Sequence, residues 1–268
     1  MNLDLTNKKA LVCGSTQGIG KAAAKELCLL GAKVVLLARN EQKLKAVAAE
    51  LNTFCKTTPE YIVADFSDPE NLRQQVRAYI NKNGGFNILI NNAGGPPAGN
   101  ITDAAAESFI QAFKEHLICN HYLALECIAG MKEMGYGRII NVISTSVKQP
   151  IKGLGVSNTI RSAVGNWSKT MSIELAPFGI TVNNVLPGAT LTARLEQIIA
   201  DKVQKTGKTE KEVIESLTSE IPAKRFANPE ETAAAIAFLA SPAAGYINGT
   251  NVVVDGGKYS MPVKLLIK

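Results

Sequence analysis

The residues whose chemistry is easiest to read form a turn. An apolar strand ends in Cys13-Gly14-Ser15-Thr16-Gln17-Gly18-Ile19-Gly20, and a helical pattern follows at once. The spacing GxxxGxG removes the Cβ atoms that would keep a phosphate off the backbone, and the helix N-terminus beyond it offers free N–H donors. Such a turn suits the pyrophosphate of a dinucleotide; taken alone, it also serves as a packing turn. Arg39 stands directly after the second strand. An acidic residue there would accept from both ribose hydroxyls of NAD, whereas an arginine pairs with a 2′-phosphate, so NADP is favoured over NAD. The plainer role for Arg39 is a solvated charge beside a helix. Asp65, with Phe66 beside it, follows the third strand, placed to meet an adenine. Asn91-Asn92-Ala93-Gly94 follows the fourth and closes another backbone wall.

These residues need a frame that brings strand ends together. Apolar runs predict strands over Lys9–Cys13, Lys33–Leu37, Glu60–Ala64, Phe86–Ile90, Arg138–Ile143, Ile180–Leu186 and Asn251–Val254. Between them, helical periodicity predicts helices over Gly18–Leu30, Glu41–Leu51, Pro69–Asn81, Ala105–Met134, Val156–Leu175 and Pro229–Leu239. Strand after helix after strand means right-handed crossovers and a parallel sheet, and near-continuous apolar strands mean a sheet covered on both faces. The fold class is α/β: one Rossmann-type, doubly wound parallel sheet with helices on both faces, in a single domain over 1–268. The segment from 191 to 220 breaks the alternation with two short helices around Thr206-Gly207-Lys208 and is expected to cover the crevice at the strand C-termini.

In this order, Gly14-xxx-Gly18-Ile19-Gly20, Asn91-Asn92-Ala93-Gly94, Gly137-Arg138-Ile139-Ile140-Asn141, Pro187-Gly188 with Thr192, and Asp255-Gly256-Gly257 resemble the short-chain dehydrogenase/reductase family. The likeness runs from about Lys8 to Gly257 and is greatest to 3-oxoacyl-carrier-protein reductases. It implies an NADP lying extended across the sheet edge, with Gly14, Ser15, Thr16, Gln17, Gly18, Ile19, Arg39, Asp65, Phe66, Asn92, Ala93, Gly94, Pro187, Gly188, Thr190 and Thr192 around it. It also implies a homodimer or homotetramer, formed through the two long helices.

Members of that family work with an Asn, a Ser, a Tyr and a Lys, the tyrosine being the general acid/base. Aligned from Gly137-Arg138, the serine is Ser144. Aligned back from Glu174-Leu175-Ala176-Pro177, the tyrosine position holds Ser157 and the lysine position Arg161; no YxxxK occurs anywhere in the chain. The asparagine position holds His116, with Asn120 one helical turn further on. A serine hydroxyl is a far weaker acid than a phenol, and an arginine does not give up its proton. Ser157 keeps the ability to orient a carbonyl, and Arg161 to donate to ribose hydroxyls. His116 alone has an intrinsic pKa suited to proton transfer; it is either a proton source acting through Ser144 or a water, or a packing residue at a helix bend. Ser157-Asn158-x-x-Arg161 together with Asn92-Ala93-Gly94-Gly95-Pro96-Pro97 is similar to a divergent subgroup named by likeness to the carrier-protein reductases.

Composition bounds the rest. The 268 residues are 46% hydrophobic and 19% charged, enough apolar material for a large core. No apolar run approaches the ~20 residues that span a bilayer, and Met1 to Lys9 shows no signal-peptide pattern. A net charge of +6 is spread along the chain rather than clustered, which argues against nucleic acid as a partner. The five cysteines have no metal-ligand spacing, so no metal is expected, and all five read as reduced core residues of a cytoplasmic protein. Two functions follow: an NADP-dependent reductase of a small-molecule or acyl-thioester carbonyl with a non-standard proton route, or a protein that binds the cofactor or an acyl ligand without efficient turnover.

Overall fold

The computed structural model describes residues 1–259. Seven strands, β1 (Lys9–Cys13), β2 (Lys33–Ala38), β3 (Glu60–Val63), β4 (Ile88–Asn91), β5 (Gly137–Val142), β6 (Ile180–Pro187) and β7 (Asn251–Val254), pair in the order β3-β2-β1-β4-β5-β6-β7. Every pairing is parallel. The chain winds outward from β1 to β3, then returns past β1 to start β4 and winds the other way. The strand order therefore reverses between β1 and β4, where the connections leave a crevice at the strand C-termini.

The helices are α1 (Gly18–Leu29), α2 (Glu41–Leu51), α3 (Pro69–Asn83), α4 (Ala106–Phe113), α5 (Cys119–Glu133), α6 (Gly155–Leu175), α7 (Ala193–Thr206), α8 (Glu210–Ser219) and α9 (Pro229–Ala240). Side chains alternate across each strand. Ala10, Val12, Val34, Leu36, Ile88 and Ile90 enter one core, with Leu27 of α1 and Ile236 of α9. Leu11, Cys13, Val35, Leu37 and Leu89 enter the other, with Leu72 of α3 and Leu123 of α5. No described helix is long and apolar enough to cross a membrane.

Three expectations need correcting. The helical region from Ala105 to Met134 is not one α-helix: Lys114–Ile118, between α4 and α5, is a π turn. The extra residue in that turn shifts the buried face, and no hydrophobic period announces it. The fourth strand begins at Ile88 and takes in Asn91. Not all cysteines are reduced: Cys28 on α1 and Cys55, just past α2, form a disulfide with Cα atoms 5.1 Å apart, while Cys13, Cys119 and Cys127 are free and buried. The pair is 27 residues apart in sequence and meets only because α1 and α2 lie side by side.

Beneath the crevice runs a row of asparagines. Asn91, Asn141, Asn184 and Asn251 are in register on β4, β5, β6 and β7. Asn91 Nδ2 donates to Asn141 Oδ1 (2.8 Å), Asn141 Nδ2 to Asn184 Oδ1 (3.1 Å), and Asn184 Nδ2 to Asn251 Oδ1 (2.8 Å). Asn141 is fully buried and also donates to Ser168 Oγ of α6 (3.2 Å), so the row holds α6 to the sheet. Buried polar groups are expensive when one partner is removed. Asn141→Leu is therefore expected to lower the unfolding free energy by about 2–5 kcal/mol in urea titrations. Asn251→Ala, at the half-buried end of the row, is expected to cost less than about 1 kcal/mol.

Candidate active site

The β1–α1 turn is built without room to spare. Gly14 (φ +59°) and Gly18 (φ +54°) are left-handed, and a Cβ on Gly14 would lie 2.1 Å from the Asn92 carbonyl oxygen. Asn92 Nδ2 donates to the carbonyls of Cys13 (3.3 Å) and Gly14 (3.4 Å), clamping the end of β1 to the end of β4. Gln17 caps α1 with no side-chain hydrogen bond, and the first turn holds no acid. Its N–H groups stay open, as an anion at that end requires. Across the crevice, Thr192 faces Gly18, its Cγ2 3.0 Å from the position of a Cβ there. At the far end, exposed Arg39 comes within 3.9 Å of Asp65 Oδ2. These residues fit a dinucleotide with a phosphate at the turn and a second anionic group near Arg39.

Two expected contacts have other occupations. The Ser15 hydroxyl accepts from Leu37 N (3.1 Å) and donates to Leu37 O (3.4 Å), so it ties α1's turn to β2, and only the Ser15 backbone is left to face a ligand. Phe66, partly buried, packs against the core that holds Leu72 of α3 and Leu123 of α5. The β6–α7 segment is held by three hydrogen bonds: Gly188 N donates to Val254 O (2.8 Å), Thr190 Oγ1 to Gly188 O (3.2 Å), and Thr192 Oγ1 to Thr190 O (3.2 Å). Pro187 ends β6 at the same edge.

On the β5 side, Ser144 follows the strand in extended conformation, and its Oγ accepts from Ser146 N (3.0 Å). Ser157 and Arg161 lie one turn apart on α6. The Ser157 side chain, half-buried, makes no hydrogen bond among the described residues. Arg161 is 8% exposed; Nη1 donates to Val142 O (3.0 Å) and Nη2 to Ala93 O (3.4 Å). One side chain thus spans the ends of β5 and β4. Burial, then the charge of Arg194, pushes its pKa down to about 10, still a cation at neutral pH.

Sequence reasoning missed Arg194. It stands at the second position of α7, and its Nη2 donates to Pro96 O (2.8 Å) across the crevice. A signal existed: a cation at a helix N-terminus opposes the helix dipole, so its presence asks for another reason.

Comparison with known proteins places this geometry in a family. A family model described as enoyl-(acyl carrier protein) reductase matches residues 14–258. The chain belongs to the short-chain dehydrogenase/reductase family. It is 33% identical over 254 residues to a D-beta-hydroxybutyrate dehydrogenase of Rhizobium meliloti, covering 93% of this chain and 98% of that one. It is likewise 33% identical over 255 residues to the 3-oxoacyl-acyl-carrier-protein reductase of Haemophilus influenzae, covering 95% and 99%. The L-sorbose reductase of Gluconobacter frateurii, solved with NADPH and L-sorbose, superposes with a TM-score of 0.91 at 31% identity over 98% of this chain and 100% of that one. Family membership makes the chain's oxidoreductase ancestry plain, and the resemblance to 3-oxoacyl reductases noted from the motifs stands.

His116 departs from the expectation of a proton source. It sits in the π turn, 1% exposed, with Nε2 unpartnered. Burial, followed by the Arg161 charge, pushes its pKa from 6.5 down to about 2. The imidazole is neutral at any pH where the protein would work and stores no proton. The unfolded chain protonates at about 6.5. Below that pH the unfolded state binds a proton that the folded state refuses, so stability falls as pH falls, by about 1.4 kcal/mol per unit. Above it His116 contributes no pH dependence. Between pH 7 and pH 5, His116→Gln is expected to lose about 2 kcal/mol less stability than the parent chain in urea unfolding; equal losses would mean His116 is not held neutral.

Proposed function

We propose that this chain binds NADP in preference to NAD and reduces the carbonyl of a small molecule or acyl thioester, 3-oxoacyl-like in form, to an alcohol. The observation that carries this reading is the glycine turn locked by Asn92 at the reversal of strand order, with α1 left uncapped and Arg39 at the far end. Gly14, Thr16, Gln17, Gly18 and Ile19 with the Ser15 backbone would hold the pyrophosphate, Arg39 the 2′-phosphate, Asp65 the adenine end, and Ala93, Gly94, Pro187, Gly188, Thr190 and Thr192 the wall of the nicotinamide end. A nicotinamide bound there supplies a hydride.

The chain's own residues do the remaining work. Ser144, fixed by its hydrogen bond from Ser146 N, offers its O–H to the substrate oxygen. The Ser157 hydroxyl has no internal partner and serves as a second donor. Arg161 keeps the region positive as negative charge develops on that oxygen. Neither serine is acidic enough to release a proton near neutrality, Arg161 keeps its proton, and His116 has none to give, so the proton comes from water. The helices α7 and α8, which share a small core of Leu195, Ile199 and Val213, cover the crevice. Ile110, Phe113, Leu125 and Ile173, exposed on α4, α5 and α6, suit the face of a homodimer or homotetramer. The second reading, cofactor binding without efficient turnover, is favoured by the same absence of a titrating donor.

Following reduced-nicotinamide absorbance over a panel of ketones and 3-oxoacyl thioesters tests the proposal. NADPH is expected to bind at least about 10-fold tighter than NADH, and Arg39→Ala to remove that preference. Restoring the family pair with Ser157→Tyr and Arg161→Lys together is expected to raise turnover by about 10²–10⁴, the contribution of a positioned proton donor. Tight NADPH binding with no oxidation across the panel would leave the second reading in its place.

A further inference from the structure

The chain has seven arginines, and five are accounted for by what they touch. Arg73 and Arg77 both pair with Glu126, Arg225 pairs with Glu231, and Arg39 approaches Asp65. Arg138, buried like Arg161, stacks on the Tyr136 ring at 4.1 Å and donates to the carbonyls of Gly137, Gly179 and Ser241. The two left over are Arg161 and Arg194, and both are in the crevice. Neither forms an ion pair among the described residues.

They also grip one stretch of backbone from two sides. Arg161 reaches the Ala93 carbonyl from α6, and Arg194 reaches the Pro96 carbonyl from α7, three residues along the same wall. Each guanidinium has five N–H donors and gives only one or two to these carbonyls. The Thr192 hydroxyl is spent on Thr190 O and does not cap α7, whose first turn carries Glu196 as well as Arg194. Arg138 meets its burial with three carbonyls and a stacked ring, whereas Arg161, nine-tenths buried, has two carbonyls and no stacked ring and is left with donors to spare. A ligand that brings an anion takes up those donors.

We infer that the substrate carries a carboxylate close to its reacting carbonyl, an oxo acid rather than a neutral ketone, and that Arg161 and Arg194 hold that carboxylate between them. The inference rests on the reductase reading for the reaction, though the anion site does not depend on it. In the step itself, hydride from reduced nicotinamide forms the new C–H bond at the carbonyl carbon. The C=O π pair moves onto oxygen beside Ser144, and a proton from water completes the alcohol, leaving NADP⁺ and a hydroxide that solvent buffer neutralises. The cofactor's pyrophosphate is the other anion that could meet Arg194. The fork of Arg161 is tied to the ends of β5 and β4, through Val142 O and Ala93 O, and not to the β1–α1 turn.

Calorimetric titration of NADP⁺-loaded protein with acetoacetate and 3-oxohexanoate, each against its neutral methyl ester, tests the site, since oxidised cofactor permits binding without reduction. The acids are expected to bind at least about 10-fold tighter than the esters. Arg194→Gln is expected to remove about 10-fold of acid affinity while leaving the ester and NADP⁺ within 2-fold. Arg161→Lys, which keeps the charge but not the fork, is expected to retain part of the acid preference. Equal affinity for acid and ester overturns the inference. So does an Arg194→Gln protein that loses NADP⁺ affinity with its acid-to-ester ratio intact, which would assign Arg194 to the pyrophosphate. Preference for the acid in a protein that never oxidises NADPH upholds the anion site and counts against the reductase reading alone.

Discussion

A buried guanidinium bridging two strand ends organises this crevice. Arg161 takes the carbonyl of Val142 at the end of β5 and that of Ala93 beyond β4. Through these bonds it sets the distance between the strand that delivers Ser144 and the loop that forms the wall. It places Ser157 one turn away on the same helix, and its charge presses on His116 hard enough to help keep the imidazole neutral. Among the described residues the chain supplies carbonyls for it and no carboxylate. The interaction is therefore half complete in the protein alone.

The surrounding architecture makes such a group tolerable. Asparagines in register on four strands tie α6 to the sheet through Ser168, so the helix that carries Arg161 has little freedom to withdraw. Asn92 does the same for the β1–α1 turn, joining it to the wall from the other side. Amide-to-amide hydrogen bonds suit this task because each amide can donate and accept and they leave no charge to compete with the ligand.

The legible part of the fold was the part written in local pattern. Near-continuous apolar runs such as Lys33–Ala38 show two-sided burial, and glycines at 14 and 18 mark a turn that favours glycine. What stayed hidden depends on meetings between distant segments. Asn91, Asn141, Asn184 and Asn251 look like four unrelated polar residues until the sheet order sets them side by side. Cys28 and Cys55 carry no spacing signal. Ser15 reads as a nucleotide contact because it sits in the right turn, yet its hydroxyl belongs to β2. The sequence leaves His116 open between a proton source and a packing residue, and burial inside a π turn, which no periodicity shows, favours the packing role. Arg194 was overlooked because it is one exposed arginine in a charged helix; only its reach to Pro96 distinguishes it.

If Arg161 is kept for a ligand and not for the fold, removing its charge should cost the empty protein little. Desolvating a guanidinium is unfavourable by several kcal/mol, close to what its two carbonyl bonds return. The most direct test is the unfolding free energy of Arg161→Met, a change of similar volume, measured in urea without cofactor or substrate. The account predicts a value within about 1 kcal/mol of the parent chain, or higher. A loss of more than about 2 kcal/mol would contradict it and make Arg161 a structural strap whose needs the chain already meets.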